Sequence, residues 1–482
     1  MSVRWLSRLF LRLRVLCRKT QSGRMSQLVA PPAGSASSYT PFSRLARIGP
    51  ARVLSSMDYA SSLPHGVLMK IFSGLAPPNP HSVRDLCAAA SVCPSWREAA
   101  KEPSLWRKLY VLNAPLNERL TGPRLRNLVA RSHNTLTALW LEGCSLVIDT
   151  ALALSLQQQP LLVYVRVTDC ALVTRPGLAY ALCEAEDFQG VMAQLNNPRQ
   201  SAADAQRCCL ALYTLLCAEE EAELAAALAD AQAAGTLDAL LRCSALHAAH
   251  AGVQATCCWA LAKYLYHPQH TGVASYPPIF QAAVAALNAH PLDGDVQRAA
   301  LNALQNACWY GLEGTPGVPA LLDAVPPVLA AMRAFPTDLT VQAFGCKSLA
   351  KMCGMDASVA EAVAAAGAMG LFIKALNLDT SNEKTRAAAV EAIGAIALSK
   401  AALPQASAGI DAVVHALRHH EEKTLFAEAA CKTLGIYLRC PATRARALGG
   451  CADFVIKATA ATHHTDAKVK KAAADALQKP QA

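Results

Sequence analysis

A repeat constrains this chain more than any other feature. Seven segments stack on one template, starting at Ala205, Val253, Val296, Val341, Thr385, Phe426 and Val469, with spacings of 48, 43, 45, 44, 41 and 43 residues. They include "AQRCCLALYTLLC", "VQATCCWALAKYL", "VQRAALNALQNAC", "VQAFGCKSLAKMC" and "TRAAAVEAIGAIA". The fourth and fifth positions are nearly always small: Cys208-Cys209, Ala299-Ala300, Ala388-Ala389, Ala429-Ala430, Ala472-Ala473. The ninth is large and apolar: Tyr213, Leu261, Leu304, Leu349, Ile393, Leu434, Leu477. Small residues let helices approach closely, and the larger ones fill the gap beyond. A shorter helix precedes most segments, often after a glycine, as in "GTLDALLRCSAL" and "GIDAVVHALRHH". A period of about 40–47 residues built from two or three helices predicts a stacked α-solenoid, hence a mainly all-α chain. Solenoids present long concave binding surfaces rather than reaction centres.

Composition agrees. Hydrophobic residues make up 53% of the chain and aromatic residues only 6%, so surface is buried through many small contacts between helices. The 18 cysteines are spread along the chain, mostly within apolar helical patterns, and no CxxC pair occurs. That pattern predicts buried free thiols in a reducing compartment, with no metal site and no cofactor. The formal net charge of +10 is concentrated at one end: residues 1–57 hold ten Arg and Lys and no acid, while the remaining 35 basic residues match all 35 acids. A balanced body lacks the basic face that nucleic-acid binding needs, so no nucleic-acid partner is expected. No apolar run reaches the roughly 18 residues of a membrane span, and no membrane partner is expected.

The Gly–helix–loop–Val-Gln-x-x-Ala arrangement resembles armadillo repeats over residues 186–480, about 60% of the chain, with HEAT repeats as the alternative. The resemblance implies that the third helix of each repeat lines a groove, with the seventh and eleventh template positions facing it. The substrate groove is then expected at Trp259, Lys263, Asn302, Asn306, Lys347, Lys351, Glu391 and Lys432. Nuclear-import receptors of this family hold basic signals with repeated Trp-x-x-x-Asn pairs and acids. Here Lys263 stands where the Asn would follow Trp259, and Asn302 stands where a Trp would precede Asn306. In the first six segments these two columns hold four lysines against one acid, which predicts an acidic, extended ligand with apolar anchors.

Upstream, residues 136–144 read "LTALWLEGC" and residues 162–170 read "LVYVRVTDC", the second starting 26 residues after the first. Alternating apolar positions point one way from a short strand, and the Cys packs under the next turn. A weaker rung comprises Trp106, Leu109, Val111 and Ala114. The spacing resembles cysteine-containing leucine-rich repeats and predicts a short α/β segment over 105–185, with Cys144 and Cys170 in its core.

Before these rungs come Leu63-Pro64, Val67-Leu68, Ile71-Phe72 and Leu75, then Leu86, Val92-Cys93, Trp96-Arg97, Leu105 and Trp106. Proline opens a helix well because its missing N–H is not needed there. The apolar positions exceed what so short a segment can bury internally, which predicts a docking face. This run resembles an F-box, assigned to residues 58–104 and expected to form three helices. His65-Gly66 replaces the acids usual after Leu-Pro, and "APPNPHS" lengthens the first loop. The resemblance implies that Leu63, Pro64, Val67, Leu68, Ile71, Phe72 and Leu75 dock a Skp1-type adaptor and, through it, a cullin. The order F-box, leucine-rich rungs, armadillo array is similar to the Arabidillo type of plant F-box protein. It implies a non-catalytic substrate-recognition subunit of an SCF-type ubiquitin ligase. The alternative is an armadillo scaffold or transport adaptor with no ligase role.

Residues 1–57 form a basic extension. Within it, "MSVRWLSRLFLRLRVLCR" places Arg4, Arg8 and Arg12 on one helical face opposite Leu6, Leu9, Phe10, Leu13 and Leu16. Acid-poor and Arg-rich, it looks like a transit peptide, a disordered arm, or an extension upstream of a start at Met57. An F-box function requires cytoplasm or nucleus; an organelle is the alternative. His267/His270, His419-His420 and His463-His464 have no further ligand at zinc-site spacing. No phosphate loop, HExxH or Gly-x-Ser-x-Gly motif occurs.

Overall fold

The computed structural model describes residues 94–478 apart from 113–119, 157–158, 186, 198–199, 218–220, 266–275, 311–316, 379–381, 398, 420–423, 451 and 464, together with 68, 69, 72, 86, 87, 89 and 90. The basic extension and its expected amphipathic helix lie outside the described residues. The chain divides into two compact units: residues 1–162 with 166–173, and residues 163–165 with 174–482.

In the first unit, helix α1 (Pro94–Ala99) and a 3₁₀ turn (Pro103–Trp106) lead into β1 (Lys108–Val111). After α2 (Gly122–Ala130) comes β2 (Ala138–Glu142), which pairs with β1 in parallel, Leu109 opposite Leu139 and Tyr110 opposite Trp140. Helix α3 (Asp149–Leu156) then leads to β3 (Tyr164–Thr168), whose first two residues belong to the second unit, and the strands lie in the order β1-β2-β3. Leu109, Leu139 and Leu141 are buried, while Tyr110 and Trp140 on the opposite face are half-buried, as the strand period of two requires. The two cysteine turns repeat in detail. Gly143 and Asp169 both take positive φ, 65° and 52°, the first with no steric cost and the second as a residue type that tolerates it. Each turns its following cysteine inward. The Gly143 N–H donates to the Thr168 carbonyl at 3.0 Å, and the Cys144 N–H donates to the Cys170 sulfur at 3.2 Å. Both thiols are buried, so they serve the core, as the rung pattern expects.

The second unit is a stack of helices. Helices α4 (Arg175–Cys183) and α5 (Phe188–Leu195) precede α6 (Ala202–Leu215). Then follow α7 (Glu221–Ala233), α8 (Thr236–Leu246), α9 (Ala251–Tyr264), α10 (Tyr276–Ala289), α11 (Gly294–Tyr310), α12 (Val318–Ala334) and α13 (Leu339–Met355). The remainder are α14 (Ala357–Ala365), α15 (Ala368–Leu376), α16 (Glu383–Ile396), α17 (Ala406–His419), α18 (Thr424–Arg439), α19 (Pro441–Gly449), α20 (Ala452–Thr462) and α21 (Ala467–Leu477). The seven template segments are α6, α9, α11, α13, α16, α18 and α21. Each packs against the next, forming one continuous inner layer. α8, α10, α12, α15, α17 and α20 form the outer layer behind it. This is the mainly all-α solenoid that the repeat predicts. Helix α4 packs on α6, which brings residues from Thr174 into this unit.

Three devices keep the stack in register. The first is close approach. A Cβ placed on Gly435 would lie 2.8 Å from the Ala476 backbone, and one on Gly394 would lie 2.7 Å from the Thr433 hydroxyl. The second is capping. Asp338 accepts from the Thr340 and Val341 N–H groups, Asp293 from Asp295 and Val296, and Asp466 from Lys468 and Val469. Each satisfies donors that a helix start leaves open. Arg298 bridges Asp295 to Asp338 and ties α11 to the start of α13.

The third device is the buried glutamine at the second template position. Gln254 donates to the carbonyls of Ser244 and His247, Gln297 to Leu287 and His290, and Gln342 to Met332 and Phe335, all between 2.7 and 3.1 Å. Those carbonyls lie at the ends of α8, α10 and α12; those of Ser244, Leu287 and Met332 are ones the helical ladder leaves open, while those of His247, His290 and Phe335 also accept a backbone N–H from the turn that follows. The "VQ" of the template is therefore a clamp between the outer helix and the inner helix that follows it. In α16 the position holds Arg386, 1% exposed, which lies 4.1 Å over the Phe426 ring and donates to the Ala416 carbonyl instead.

Two outcomes are expected. Gln297→Leu strips a donor from two carbonyls and should cost about 1–3 kcal/mol in urea unfolding. Gly435→Val forces α18 from α21 and should cost a comparable ~1–3 kcal/mol by overpacking. Unchanged midpoints for both would contradict the clamp and close-approach arguments.

Candidate protein-docking surfaces

The F-box-like stretch builds its core from tryptophans. Phe72 meets Trp96 edge to face, with ring centroids 5.3 Å apart, and both are buried. Leu68, Leu86, Ala89, Leu105 and Trp106 are buried as well. Trp106 Nε1 donates to the Ala100 carbonyl at 2.7 Å, and the Arg131 guanidinium lies 4.7 Å over its indole. This corrects the expected docking patch. Leu68 and Phe72, at 1% and 0% exposure, hold the unit together from inside and offer no apolar surface to an adaptor. Leu63, Pro64, Val67, Ile71 and Leu75 lie outside the described residues. The apolar run contains more candidates than one helical face can hold, and the sequence does not tell which of two adjacent apolar residues turns inward.

On the helix stack, the seventh and eleventh template columns run along the inner layer. In the seventh, Trp259, Asn302 and Lys347 are half-buried, and Glu391 and Lys432 are exposed. In the eleventh, Lys263 and Lys351 are half-buried, but Asn306 is buried. Asn306 Nδ2 donates to the Ala262 carbonyl at 2.8 Å. This second correction removes Asn306 from the ligand-facing set: its amide joins α11 to α9. An amide serves a neighbouring helix as readily as a bound peptide, and sequence cannot separate the two uses.

The remaining charges fall into groups. Lys432 Nζ pairs with Glu428 at 2.6 Å, one turn earlier on α18, so this lysine adds little net charge. Burial lowers the pKa of Lys347 from its ordinary value; Glu391 opposes that shift, and the charges of Lys384 and Lys351 add to it. Lys347, Lys351, Lys384 and Glu391 thus share one electrostatic neighbourhood on α13 and α16, with three bases to one acid.

Trp259 is not a lone anchor. Its ring lies 5.1 Å from Tyr164 and 6.3 Å from Tyr213, and the two tyrosines are 5.9 Å apart. Tyr213 is buried, while Tyr164 and Trp259 keep partly exposed faces. The sequence reading missed Tyr164 because it belongs to the "LVYVRVTDC" rung, far from Trp259 along the chain. The alternation of that rung, which turns Tyr164 away from Val163 and Val165, was the available signal. An aromatic platform beside the helix carrying Lys263, followed by a net-basic stretch, can hold an apolar side chain and carboxylates.

Residues 60–112 match the family model described as F-box-like, a stretch that runs through β1. Over 77 residues the chain is 38% identical to F-box/LRR-repeat protein 5 of Danio rerio, covering 16% of this chain and 10% of that protein. The chain therefore spans about a tenth of the length of the curated relative it matches. Two crystal structures of engineered proteins from a structural genomics consortium are also similar. One is 19% identical with a TM-score of 0.39, covering 60% of this chain and 94% of its own. The other is 18% identical with a TM-score of 0.34, covering 60% and 97%. Both scores lie below 0.5, and the fold rests on the helix stacking described above. The chain carries an F-box-like domain at residues 60–112.

Proposed function

We propose that this protein is the substrate-recognition subunit of an SCF-type ubiquitin ligase. The F-box-like domain docks a Skp1-type adaptor bound to a cullin, and the helical stack holds the substrate. The observation that carries this reading is the match at residues 60–112, supported by the Phe72–Trp96 and Trp106 core beneath it. In this reading the protein performs no chemistry itself; it brings a bound protein to the ligase's transfer machinery. It works in cytoplasm or nucleus, where the adaptor is found. The stack is of the armadillo type and the strand–helix rungs are leucine-rich repeats, an order similar to Arabidillo proteins. Of the expected adaptor-binding set, Leu63, Pro64, Val67, Ile71 and Leu75 remain as contacts, and Leu68 and Phe72 support them from the core.

The substrate surface follows from the groove columns: Tyr164 and Trp259 for an apolar anchor, then Lys263, Asn302, Lys347 and Lys351 for carboxylates. The Lys347 ammonium has a direct cost. Its folded-state pKa is depressed, so the charged form destabilises the fold throughout the neutral range. That cost fades only as pH rises through the folded-state value toward 10.5, the ordinary one. A bound carboxylate beside the ammonium would relieve it.

Adaptor docking is tested by co-purification of the full chain with a Skp1-type adaptor. Val67→Glu/Ile71→Glu should abolish the complex while leaving thermal unfolding of the helical stack unchanged. Phe72→Ala should also lose the complex, but by loosening the domain by about 3–5 kcal/mol. Full binding by the double variant would place the adaptor contact elsewhere, and no complex with the unaltered chain would favour a scaffold with no ligase role. The groove is tested with an acidic peptide carrying one aromatic residue. Lys347→Glu/Lys351→Glu should weaken it about tenfold, roughly 1.4 kcal/mol, and flatten its salt dependence. Lys347→Met should raise the melting temperature while weakening the same peptide. A lower melting temperature with unaltered binding would place the substrate site elsewhere.

A further inference from the structure

The helix stack brings together three cysteines that are far apart in the sequence. Cys209 lies on α6, Cys243 on α8 and Cys257 on α9. The Cys209 sulfur is 3.3 Å from that of Cys257 and 3.7 Å from that of Cys243, and all three sulfurs lie within 4.8 Å of one another. Cys209 and Cys257 are fully buried and Cys243 is 5% exposed. Cysteine arithmetic from the sequence cannot find such a group, because its members come from three helices and no pair has a metal-ligand spacing.

We infer that Cys209, Cys243 and Cys257 form a three-coordinate site for one soft, thiophilic monovalent ion, Cu(I). The donor set argues for this class. Soft thiolates select soft ions such as Cu(I) and Zn, but a closed zinc site takes four ligands. Among the described residues, no fourth His, Cys, Asp or Glu joins this group. The site is closed to water, which disfavours a fourth ligand from solvent. The separations suit one small ion: three sulfurs each about 2.3 Å from a metal, taking the zinc–thiolate distance, stand about 4.0 Å apart in the trigonal geometry of three-coordination. The two separations from the Cys209 sulfur, 3.3 and 3.7 Å, are somewhat shorter than this, so a small outward movement of that side chain would admit the ion.

The bland account treats the three as small core residues, since free cysteine packs as a small hydrophobe. The template speaks against that account alone. Its fifth position, which holds Cys209 and Cys257, holds Ala300, Gly345, Ala389, Ala430 and Ala473 in the other segments. Thiols stand in this column only in the two neighbouring inner helices that face each other, and α8 adds the third at the same point. The ion would join α6, α8 and α9. It would thereby fix the spacing between Tyr213, on α6, and Trp259, on α9. Thiols that bind as thiolates lose their protons to solvent. Copper enters and remains as Cu(I), so no electron moves.

The test titrates the reduced, full-length chain anaerobically with Cu(I) against a chromophoric copper chelator. Wild type should take up one tight equivalent, show three sulfur neighbours by X-ray absorption, and melt at a higher temperature when loaded. Cys209→Ala/Cys257→Ala should lose at least about 100-fold in affinity, ~2.8 kcal/mol, together with the thermal shift. Alanine is the residue that the template tolerates there. Should that variant fail to fold, Cys243→Ala, on the outer layer, carries the same expectation. Cys346→Ala, a buried thiol on α13, should leave both readouts unchanged. No tight equivalent in wild type, equal affinity in the cluster variants, or a Cys209–Cys257 disulfide forming in place of metal uptake would overturn the proposal.

Discussion

Everything in the second unit depends on how closely the inner helices approach one another. Small residues at the fourth and fifth template positions let neighbouring backbones meet, and buried large residues at the ninth, from Leu261 to Leu434, fill the space beyond. Close approach alone would leave the helices free to slide. The glutamine clamps remove that freedom, because Gln254, Gln297 and Gln342 each bind the last carbonyls of the preceding helix. Hydrogen bonds between inner helices, such as Asn306 to Ala262 and Thr433 to Val390, fix the register from one repeat to the next. A stack held this way presents its seventh and eleventh columns in a repeating line, and that line makes a long ligand possible.

The two units are built on different kinds of core. The F-box-like domain is small and gains its rigidity from large rings: Phe72 on Trp96, and Trp106 held by hydrogen bond and by Arg131. The helical stack is long and contains few aromatics, so each repeat depends on its neighbours. One consequence is that the partly exposed ring of Trp259 stands out chemically on the inner layer, with Tyr164 of β3 beside it. Another is that charge on this layer is set residue by residue. Lys432 is neutralised by Glu428, whereas Lys347 stays charged at a cost in stability.

Much of the fold was legible in the sequence, for a physical reason. Repeat spacing, small columns and the strand alternation of the rungs are local patterns, and Cys144 and Cys170 fall in the core as their rungs require. What failed depended on choices between chemically equal neighbours or on distant partners. Phe72 faces the core, although as an apolar residue beside Ile71 it fits an outward patch equally well. Asn306 bonds a neighbouring helix because a carbonyl is within its reach, not because its type differs from that of a ligand-binding asparagine. The role of the template glutamine was invisible, since the sequence shows the recurrence of "VQ" but not the carbonyls that need a donor. Tyr164 with Trp259, and Cys209 with Cys243 and Cys257, meet only through the fold.

The central claim is that this chain serves as a ligase subunit, and it is tested most directly by native mass spectrometry of the full-length protein mixed with a Skp1-type adaptor and a cullin. One species of 1:1:1 stoichiometry is expected, present at micromolar concentration and absent when the adaptor is omitted. Free chain alone under those conditions, with the F-box-like domain folded, would contradict it.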